Sequence, residues 1–455
     1  MRVLLVHRVI TLTDSGDRIE CDSISALHSS PSFLCLTLHQ SFQLMSTNLT
    51  QSTTAPAKDL PKDIIIDILS RLPVRSLVQF YCVCKSWYAL RLNPNFISKY
   101  FHHSTLSTAN HGDRSFFLLT RHQSKAITLL SGTKSVDIPI NMDIPFLNIS
   151  KPLRISGSCH GLVCLSVMPI ASILIIWNPA TRVFKDLPVS NVKRPNAGPI
   201  KVVLGFGFDS GSNDYKVLRI VNYCYPLNQV EIYSLGTDTW REIQANVRFI
   251  IFEASSRVFV RGRFHWTALG FRELNGRELI VTFDLEEEVF SQFMLPNFSR
   301  ESDNNDGDDD DDDEDDEGRL GWHLVAWKDS IGLIVYPNHS KDKKFDMWVM
   351  NEYGVAGSWT KYMSFGPYPR VNKPLGCRMN GEVLLHKENG ELVLYDPATQ
   401  EFKNVPVNDV PYCSEVFNHV ESLVPIKGGK DLEEANMYTV VPDLFFVRKI
   451  DLLLE

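Results

Sequence analysis

Residues 60–101 carry more apolar positions than a short segment can bury by itself. Pro61 suits the first turn of a helix, because proline has no N–H to leave unpaired there. The apolar residues that follow are Ile64, Ile65, Ile66, Ile68, Leu69 and Leu72. They span about twice the roughly 100° arc that an amphipathic helix buries against its own core. We therefore expect the surplus apolar face of this helix to bind a partner.

The rest of this segment predicts two more short helices. The first helix should end at Leu72, because the residue before a proline disfavours the α conformation. Ser76 is the predicted N-cap of a second helix that continues to Cys84. Pro94 is predicted to open a last short helix through Phe101. About forty residues lie near the lower size limit for independent folding, so a partner is also expected on grounds of size.

The order of these sequence pieces resembles the F-box over nearly its whole length: Leu-Pro, an Ile/Leu-rich helix, LPVRSL, and then C-K-x-W. The resemblance implies a three-helix module that binds an SKP-type adaptor and, through it, the cullin and RING subunits of a ubiquitin ligase. The adaptor contacts that it implies are Leu60, Pro61, Ile64, Ile65, Ile68, Leu69, Leu72 and Pro73. The resemblance also implies that four residues are shared between this interface and the core of the module: Leu77, Val83, Cys84 and Trp87.

Other interpretations of the same residues remain open at this point. The isoleucines and leucines could pack against the following domain of this chain. The spacing of Cys82 and Cys84 could suggest a metal site, but zinc pairs are usually separated by two to four residues. We predict that both cysteines pack between helices. Basic residues such as Arg75 and Lys85 do not form the coherent basic face of a DNA-binding helix, so no nucleic-acid partner is predicted.

From about residue 112 the pattern changes to short β-strands separated by Gly, Pro, Asn and Asp. A repeated unit has one aromatic residue, six intervening turn-forming residues, and a second aromatic residue. The four copies are Trp177–Phe184, Tyr233–Trp240, Phe283–Phe290 and Tyr395–Phe402, and Trp348–Trp359 is a fifth copy with four residues inserted. Each unit predicts a hairpin whose two aromatic side chains pair across the strands.

The spacing of this unit predicts a β-propeller. Successive copies begin 56, 50, 65 and 47 residues apart, which accommodates four short strands per blade. Residues 116–139 form a poorer first copy, and residues 412–426 offer one more strand without a hairpin. We predict that this last strand pairs with the start of the domain, which would remove the exposed sheet edges. The expected ring has about six blades.

The stretches SGSCHGLVCL, WNPATRVFKDLP, LGFGFD and DYKVLRI resemble the F-box-associated domain, which follows the F-box in a large plant family with kelch-like and S-locus members. The fold class is therefore predicted as multidomain α plus all-β. The F-box is assigned to residues 58–104, the propeller to residues 112–426, and a C-terminal tail to residues 427–455. Residues 1–57 are predicted to be a disordered leader, and residues 1–44 are hypothesised to be an extension of the gene model before Met45.

Charge is concentrated in one segment. The run 301–317 has 13 acidic residues and no basic one, so the rest of the chain carries +5 although the whole chain carries −8. Such a run repels itself, and we predict a disordered loop between two blades. A site for a basic partner or for calcium is the alternative, although EF-hand spacing is absent.

The cysteines favour a reducing compartment. The nine cysteines are scattered and odd in number, which is typical of buried reduced thiols. The sequence therefore predicts a cytoplasmic or nuclear protein. No apolar stretch approaches the length of a membrane-spanning helix, so no membrane partner is predicted.

The sequence shows no catalytic constellation, and no cofactor or metal is predicted. His160 lies in HGLVC without a serine elbow, and LGFGFDSG reads as strand and turn rather than as a nucleotide loop. The carboxylates Asp209, Asp214, Glu231 and Asp284 fall at turns or strand ends. The predicted function is a non-catalytic substrate receptor of an SCF-type ligase, with an unidentified target bound by propeller loops. The alternatives are a scaffold that promotes no degradation and a propeller enzyme.

Overall fold

The computed structural model describes residues 61–111, 115–120, 126–131, 140–143, 153–167, 173–190, 201–222, 228–245, 247, 249–251, 256–270, 277–296, 320–378, 380–412 and 414–431. Leu60, the leader, the acidic run and most of the predicted tail lie outside these residues. The described residues form two compact units. One unit comprises residues 61–69 and 76–90, and the other comprises residues 70–75 and 91–431.

Among the described residues, four α-helices precede the strands, in the order α1 (Lys62–Ser70), α2 (Val74–Phe80), α3 (Lys85–Ala89) and α4 (Pro94–His111). Pro61 lies at the start of α1, where its carbonyl accepts hydrogen bonds from Ile64 and Ile65. Asn93 caps α4, because its side-chain oxygen accepts the N–H groups of Asn95 and Phe96 at 3.0 and 3.1 Å. The helical segment predicted before the strands is confirmed.

Three details of the helical prediction are wrong. Helix α2 begins at Val74, so Ser76 lies inside the helix and is not its N-cap. The same helix ends at Phe80, which leaves Cys82 in a turn and Cys84 before α3, and both cysteines are exposed rather than packed between helices. Helix α4 is not short but has 18 residues. Its length follows from the buried residues Phe96, Tyr100 and Ser104, which recur at i+4 spacing.

The described strands form six sheets, which correspond to the six predicted blades. The first blade contains β1 (Ser115–Thr120), β2 (Ala126–Ser131) and β3 (Ile140–Asp143). The second and third contain β4 (Leu153–Cys159), β5 (Leu162–Val167), β6 (Leu174–Asn178), β7 (Val183–Asp186), β8 (Lys201–Asp209), β9 (Asp214–Asn222), β10 (Asn228–Ser234) and β11 (Thr239–Ile243). Within each blade, neighbouring strands are antiparallel.

The fourth blade contains β12 (Phe249–Ile251), β13 (Arg257–Val260), β14 (Arg263–Gly270), β15 (Glu278–Asp284) and β16 (Phe290–Met294). The fifth contains β17 (Leu320–Trp327), β18 (Ser330–Pro337), β19 (Asp342–Met350) and β20 (Trp359–Pro369). The sixth contains β21 (Val371–Cys377), β22 (Val383–Lys387), β23 (Leu392–Asp396) and β24 (Glu401–Val405). Two more strands, β25 (Val416–Val420) and β26 (Lys430–Asp431), complete the set.

The ring closes with a strand from the end of the domain, as predicted. β25 pairs antiparallel with β1, and Phe417 lies opposite Leu118. The segment after β25 is held by Asn178 of the second blade, whose amide donates to the carbonyls of Ser422 and Val424 at 3.2 and 2.8 Å. β26 then pairs with β7 of the same blade. The end of the domain is therefore hydrogen-bonded to both the first and the second blade.

The predicted aromatic pairs are confirmed in four blades. In each of the four hairpins the two aromatic residues lie directly opposite each other; the pairs are Trp177–Phe184, Tyr233–Trp240, Phe283–Phe290 and Tyr395–Phe402. Three of these pairs have ring centroids 4.8–5.3 Å apart, a favourable separation for aromatic packing. Two residues before the second aromatic, each turn has one left-handed residue: Arg182, Asp238, Glu288 or Gln400.

The fifth hairpin differs from the prediction, because Trp359 lies opposite Met350 and Trp348 lies opposite Lys361. The longer turn shifts the register of the two strands. It also carries Tyr353, whose hydroxyl lies 2.7 Å from Nε2 of the buried His265 in the fourth blade. The other ring nitrogen of His265 faces the carbonyl of Val258, so Nδ1 holds the proton and Nε2 accepts from Tyr353. The inserted residues thus link two blades.

The two faces of the propeller carry different connections between strands. Because strands in a blade alternate in direction, the first-to-second and third-to-fourth connections lie at one end of the blade. We call this end the short-turn face; examples are the connections 160–161, 210–213, 261–262 and 397–400. The opposite end, the long-loop face, carries the second-to-third connections and most connections between blades. β16 ends and β17 begins at this face, and the acidic run lies between these two strands in the sequence.

Two buried histidines make the stability of the propeller depend on pH. Burial lowers the pKa of His265 and of His419 to about 4 in each case. The unfolded chain binds a proton at each near pH 6.5. Their contribution to stability is therefore complete above pH 6.5 and is lost as the pH falls towards 4.

Lowering the pH from 7.5 to 5.5 is expected to reduce the free energy of unfolding by about 3 kcal/mol through these two groups. Thermal unfolding across this range measures the effect. His419→Asn retains an amide near Ser158, which lies 3.0 Å from Nδ1 of His419. This variant should lose about 1.4 kcal/mol less over the same pH range, and an unchanged slope would refute the assignment to His419.

Candidate functional site

The exposed side of α1 is the strongest candidate for a docking surface. Pro61, Ile64, Ile65 and Ile68 are spaced so that they lie along one stripe of the helix, and Leu72 follows its end. Pro61 is exposed, Ile64 is 42% exposed, and the other three are half-buried. A large aliphatic side chain that remains this exposed costs free energy in water unless a partner covers it. The alternative that this chain covers the whole stripe is wrong for Ile64.

The predicted residues after α1 also remain accessible. Pro73 and Cys84 are exposed, and Val83 is 45% exposed. Trp87 is half-buried, and its ring contacts Phe80 edge-to-face with centroids 5.9 Å apart. Trp87 therefore contributes both to packing and to the accessible surface. Whether these residues contact an adaptor stays a prediction.

Leu69 and Leu77 differ from the other predicted contacts. They are only 2% and 0% exposed, so both are core residues in this structure. For Leu77 this agrees with the predicted core role. Leu69 offers little surface to a partner in this structure, and its contact with the adaptor stays a prediction. Val78 was missed: it is 40% exposed and lies next to Leu77 in α2. Its apolar side chain was the sequence signal that could have identified it as part of this surface.

The candidate catalytic carboxylates of the propeller have structural partners. Glu231 forms a buried ion pair with Arg219 on the neighbouring strand. Asp209 lies 2.6 Å from Lys216, whose ammonium group helps to hold the pKa of this carboxyl below its usual value although burial opposes the shift. Asp284 accepts the N–H groups of Glu286 and Glu287 in its turn. Their positions follow from turn and core packing.

Three core cysteines are chemically inert thiols. Cys159, Cys164 and Cys377 are buried, and burial raises the pKa of each to about 12. Such thiols hold no thiolate at neutral pH. Within the described part of the chain, no group of three or more metal-ligating side chains comes together. None of the helices described is long and apolar enough to cross a membrane.

Exposed apolar side chains also occur on the long-loop face. Ile173 and Val189 flank the second blade there and are 40% and 86% exposed. Met294 ends β16 at the same face, and Tyr412 precedes β25 with 63% of its surface exposed. The ammonium group of Lys373 lies 4.8 Å from the Tyr412 ring centroid. This face therefore offers apolar and aromatic groups beside a basic one.

Helices with an exposed aliphatic stripe, followed by a closed six-bladed ring, define a two-part binding protein. The comparisons with known families agree with this architecture: residues 57–102 match the F-box-like family, and residues 116–426 match the F-box associated beta propeller domain. The chain belongs to the family of F-box proteins that carry this propeller. Members of this family are substrate adaptors and are generally non-catalytic.

Relatives of similar architecture occur in Arabidopsis thaliana. The F-box protein At3g07870 is 27% identical over 419 residues, which cover 80% of this chain and 92% of the relative. The F-box/kelch-repeat protein At3g23880 is 25% identical over 372 residues, covering 80% and 95%. The F-box protein CPR1 is 28% identical over 397 residues, covering 80% and 88%. The similarity thus extends over nearly the full length of each relative.

Proposed function

We propose that this chain is the substrate-recognition subunit of an SCF-type ubiquitin ligase. The observation that carries the proposal is the exposed aliphatic stripe of α1, with Ile64 at its centre, in a region that matches the F-box-like family. In this role α1 binds an SKP-type adaptor, which connects the chain to cullin and RING subunits. The propeller binds a target protein, and ubiquitination leads to degradation of that target by the proteasome.

The proposed mechanism is proximity. The receptor forms no covalent bond itself, because the attacking lysine belongs to the target and the thioester belongs to the conjugating enzyme. Holding both in one complex converts a bimolecular encounter into an effectively unimolecular step. The long-loop face is the proposed target site, because Ile173, Val189 and Tyr412 leave apolar surface exposed there. Loops on a rigid scaffold are also where binding residues most often occur.

A chain that binds the target but not the adaptor tests this proposal. Full-length Ile64→Asp should retain the target on its propeller while losing the adaptor, so the target should accumulate in affinity purifications. We expect the target to rise severalfold relative to wild type, and wild type should reach the same level when the proteasome is inhibited. Quantitative mass spectrometry of both purifications measures this. Val355→Asp, at a position that is 43% exposed, provides the matched control.

Two outcomes would contradict the proposal. If wild type does not bind an SKP-type adaptor, the chain is not a ligase subunit. If proteasome inhibition leaves the abundance of every captured partner unchanged, the chain is a scaffold that promotes no degradation. We also propose a cytoplasmic or nuclear location, supported by the reduced thiols; imaging of a tagged chain tests it.

A further inference from the structure

Helix α4 is shared between the two regions that the family comparisons distinguish. Its first residues lie in the F-box-like match, which ends at residue 102. Yet residues 91–431 form one compact unit, so all of α4 belongs with the propeller. Helix α4 also contacts β25, the strand that closes the ring. The chain therefore leaves the adaptor-binding helices through an element that is already part of the propeller.

An aromatic contact helps to hold α4 on the short-turn face. The rings of Phe101 and His160 are 5.0 Å apart at an angle of 65°. His160 occupies the turn between β4 and β5, and its ring also contacts Phe208 at 4.8 Å and Tyr215 at 6.0 Å. Burial lowers the pKa of His160, so its ring is neutral at neutral pH and packs as an aromatic group.

The turn that presents His160 is held rigidly. The hydroxyl of Ser422 donates a hydrogen bond to the carbonyl of His160 at 2.6 Å. Gly161 follows with a φ of +78°, and a Cβ atom at this position would lie 2.2 Å from the Ser422 oxygen. Only glycine fits so close to another chain segment in this conformation. The residues that close the ring thus also fix the surface on which α4 lies.

We propose that Phe101 and His160 are positioning residues for ubiquitin transfer. By holding α4 on the short-turn face, they fix the point at which the adaptor-binding helices leave the propeller. A fixed exit point restricts which lysines reach the conjugating enzyme, because transfer depends on the placement of the reacting groups. This inference rests on the proposed function as a ligase subunit.

The test uses full-length Phe101→Ala and His160→Asn. Asparagine tolerates the left-handed φ of 47° at residue 160, so the second variant removes the ring while keeping the turn. His102→Ala changes the exposed neighbour of Phe101 on the same helix and serves as the control. Amide hydrogen exchange of residues 94–111 should become about tenfold faster in both variants, since an aromatic pair contributes up to about one tenfold step. Exchange in β18 and β19 of the fifth blade should not change.

The second measurement is a map of modified lysines. Each chain is assembled with SKP-type adaptor, cullin, RING subunit and charged conjugating enzyme, and the lysines modified on the propeller itself are identified by mass spectrometry. Phe101→Ala and His160→Asn should bind the adaptor as wild type does, yet spread modification over more lysines. An unchanged map, or unchanged exchange in α4, overturns this inference. Failure of wild type to bind the adaptor overturns the proposed function instead, and the exchange data still decide whether Phe101 anchors α4.

Discussion

Replacing Ile64 by aspartate is expected to weaken binding of an SKP-type adaptor about 100-fold. A partner can cover only the exposed 42% of Ile64, which contributes about 1 kcal/mol, and a carboxylate forced into the same apolar contact adds a desolvation cost of about 2 kcal/mol. A tenfold change in affinity corresponds to about 1.4 kcal/mol. Ile64→Ala, which loses only the apolar contact, should therefore weaken binding about fivefold. Calorimetry with purified adaptor measures both variants.

The control for this series is Val355→Asp. Val355 and Ile64 are almost equally exposed, at 43% and 42%, but Val355 lies in the turn region of the fifth blade. Its substitution should leave adaptor affinity unchanged. All three variants should unfold at nearly the temperature of wild type, because exposed substitutions rarely change stability by more than about 0.5 kcal/mol. Equal affinities for wild type and Ile64→Asp would remove α1 as the docking surface.

Truncation after Ser414 is expected to abolish cooperative unfolding of the propeller. The deletion removes β25 and exposes an edge of β1, and it also removes the buried Leu423 and Ile426. It leaves Arg257 without Glu415, its partner at 2.9 Å. Lost burial of about 2 kcal/mol per aliphatic residue, the lost ladder and an unpaired buried charge together cost on the order of 10 kcal/mol. A domain of typical stability does not tolerate such a loss.

A second truncation distinguishes the effect of losing the closing strand from the effect of shortening the chain. Ending the chain after Asp431 keeps β25 and β26 and removes only residues beyond the described part of the structure. Calorimetric unfolding of this chain should match wild type, whereas the chain ending at Ser414 should show no sharp transition. A cooperative transition in the shorter chain would falsify the assignment of β25 as the closing strand.

Regular features of the fold could be predicted from sequence because they depend on local chemistry. Each of the four regular hairpins places turn-forming residues between two aromatics, and both the turn and the pairing are local properties. The fifth hairpin could not be placed, because four inserted residues do not by themselves determine the register of β19 against β20. That register depends on the long-range contact between Tyr353 and His265.

The exposed apolar face of α1, the candidate docking surface, was predictable in outline but not residue by residue. An excess of isoleucine and leucine shows that α1 has more apolar surface than it can bury, yet it does not show which leucine turns inward. Leu69 is enclosed whereas Ile64 is exposed, and only the folded chain distinguishes them. The role of α4 was likewise hidden, because its second half is polar. Its length and its contact at His160 are consequences of tertiary packing.

Closure by β25 has a consequence for how this protein is made. The adaptor-binding helices emerge from the ribosome first, whereas the ring waits for residues 416–420, some 300 residues after β1. A nonsense mutation anywhere between these points yields a polypeptide whose docking helices are complete and whose ring stays open. On the proposed function, such a fragment would compete for adaptor while capturing no target, so the corresponding allele should be dominant over the normal one rather than recessive.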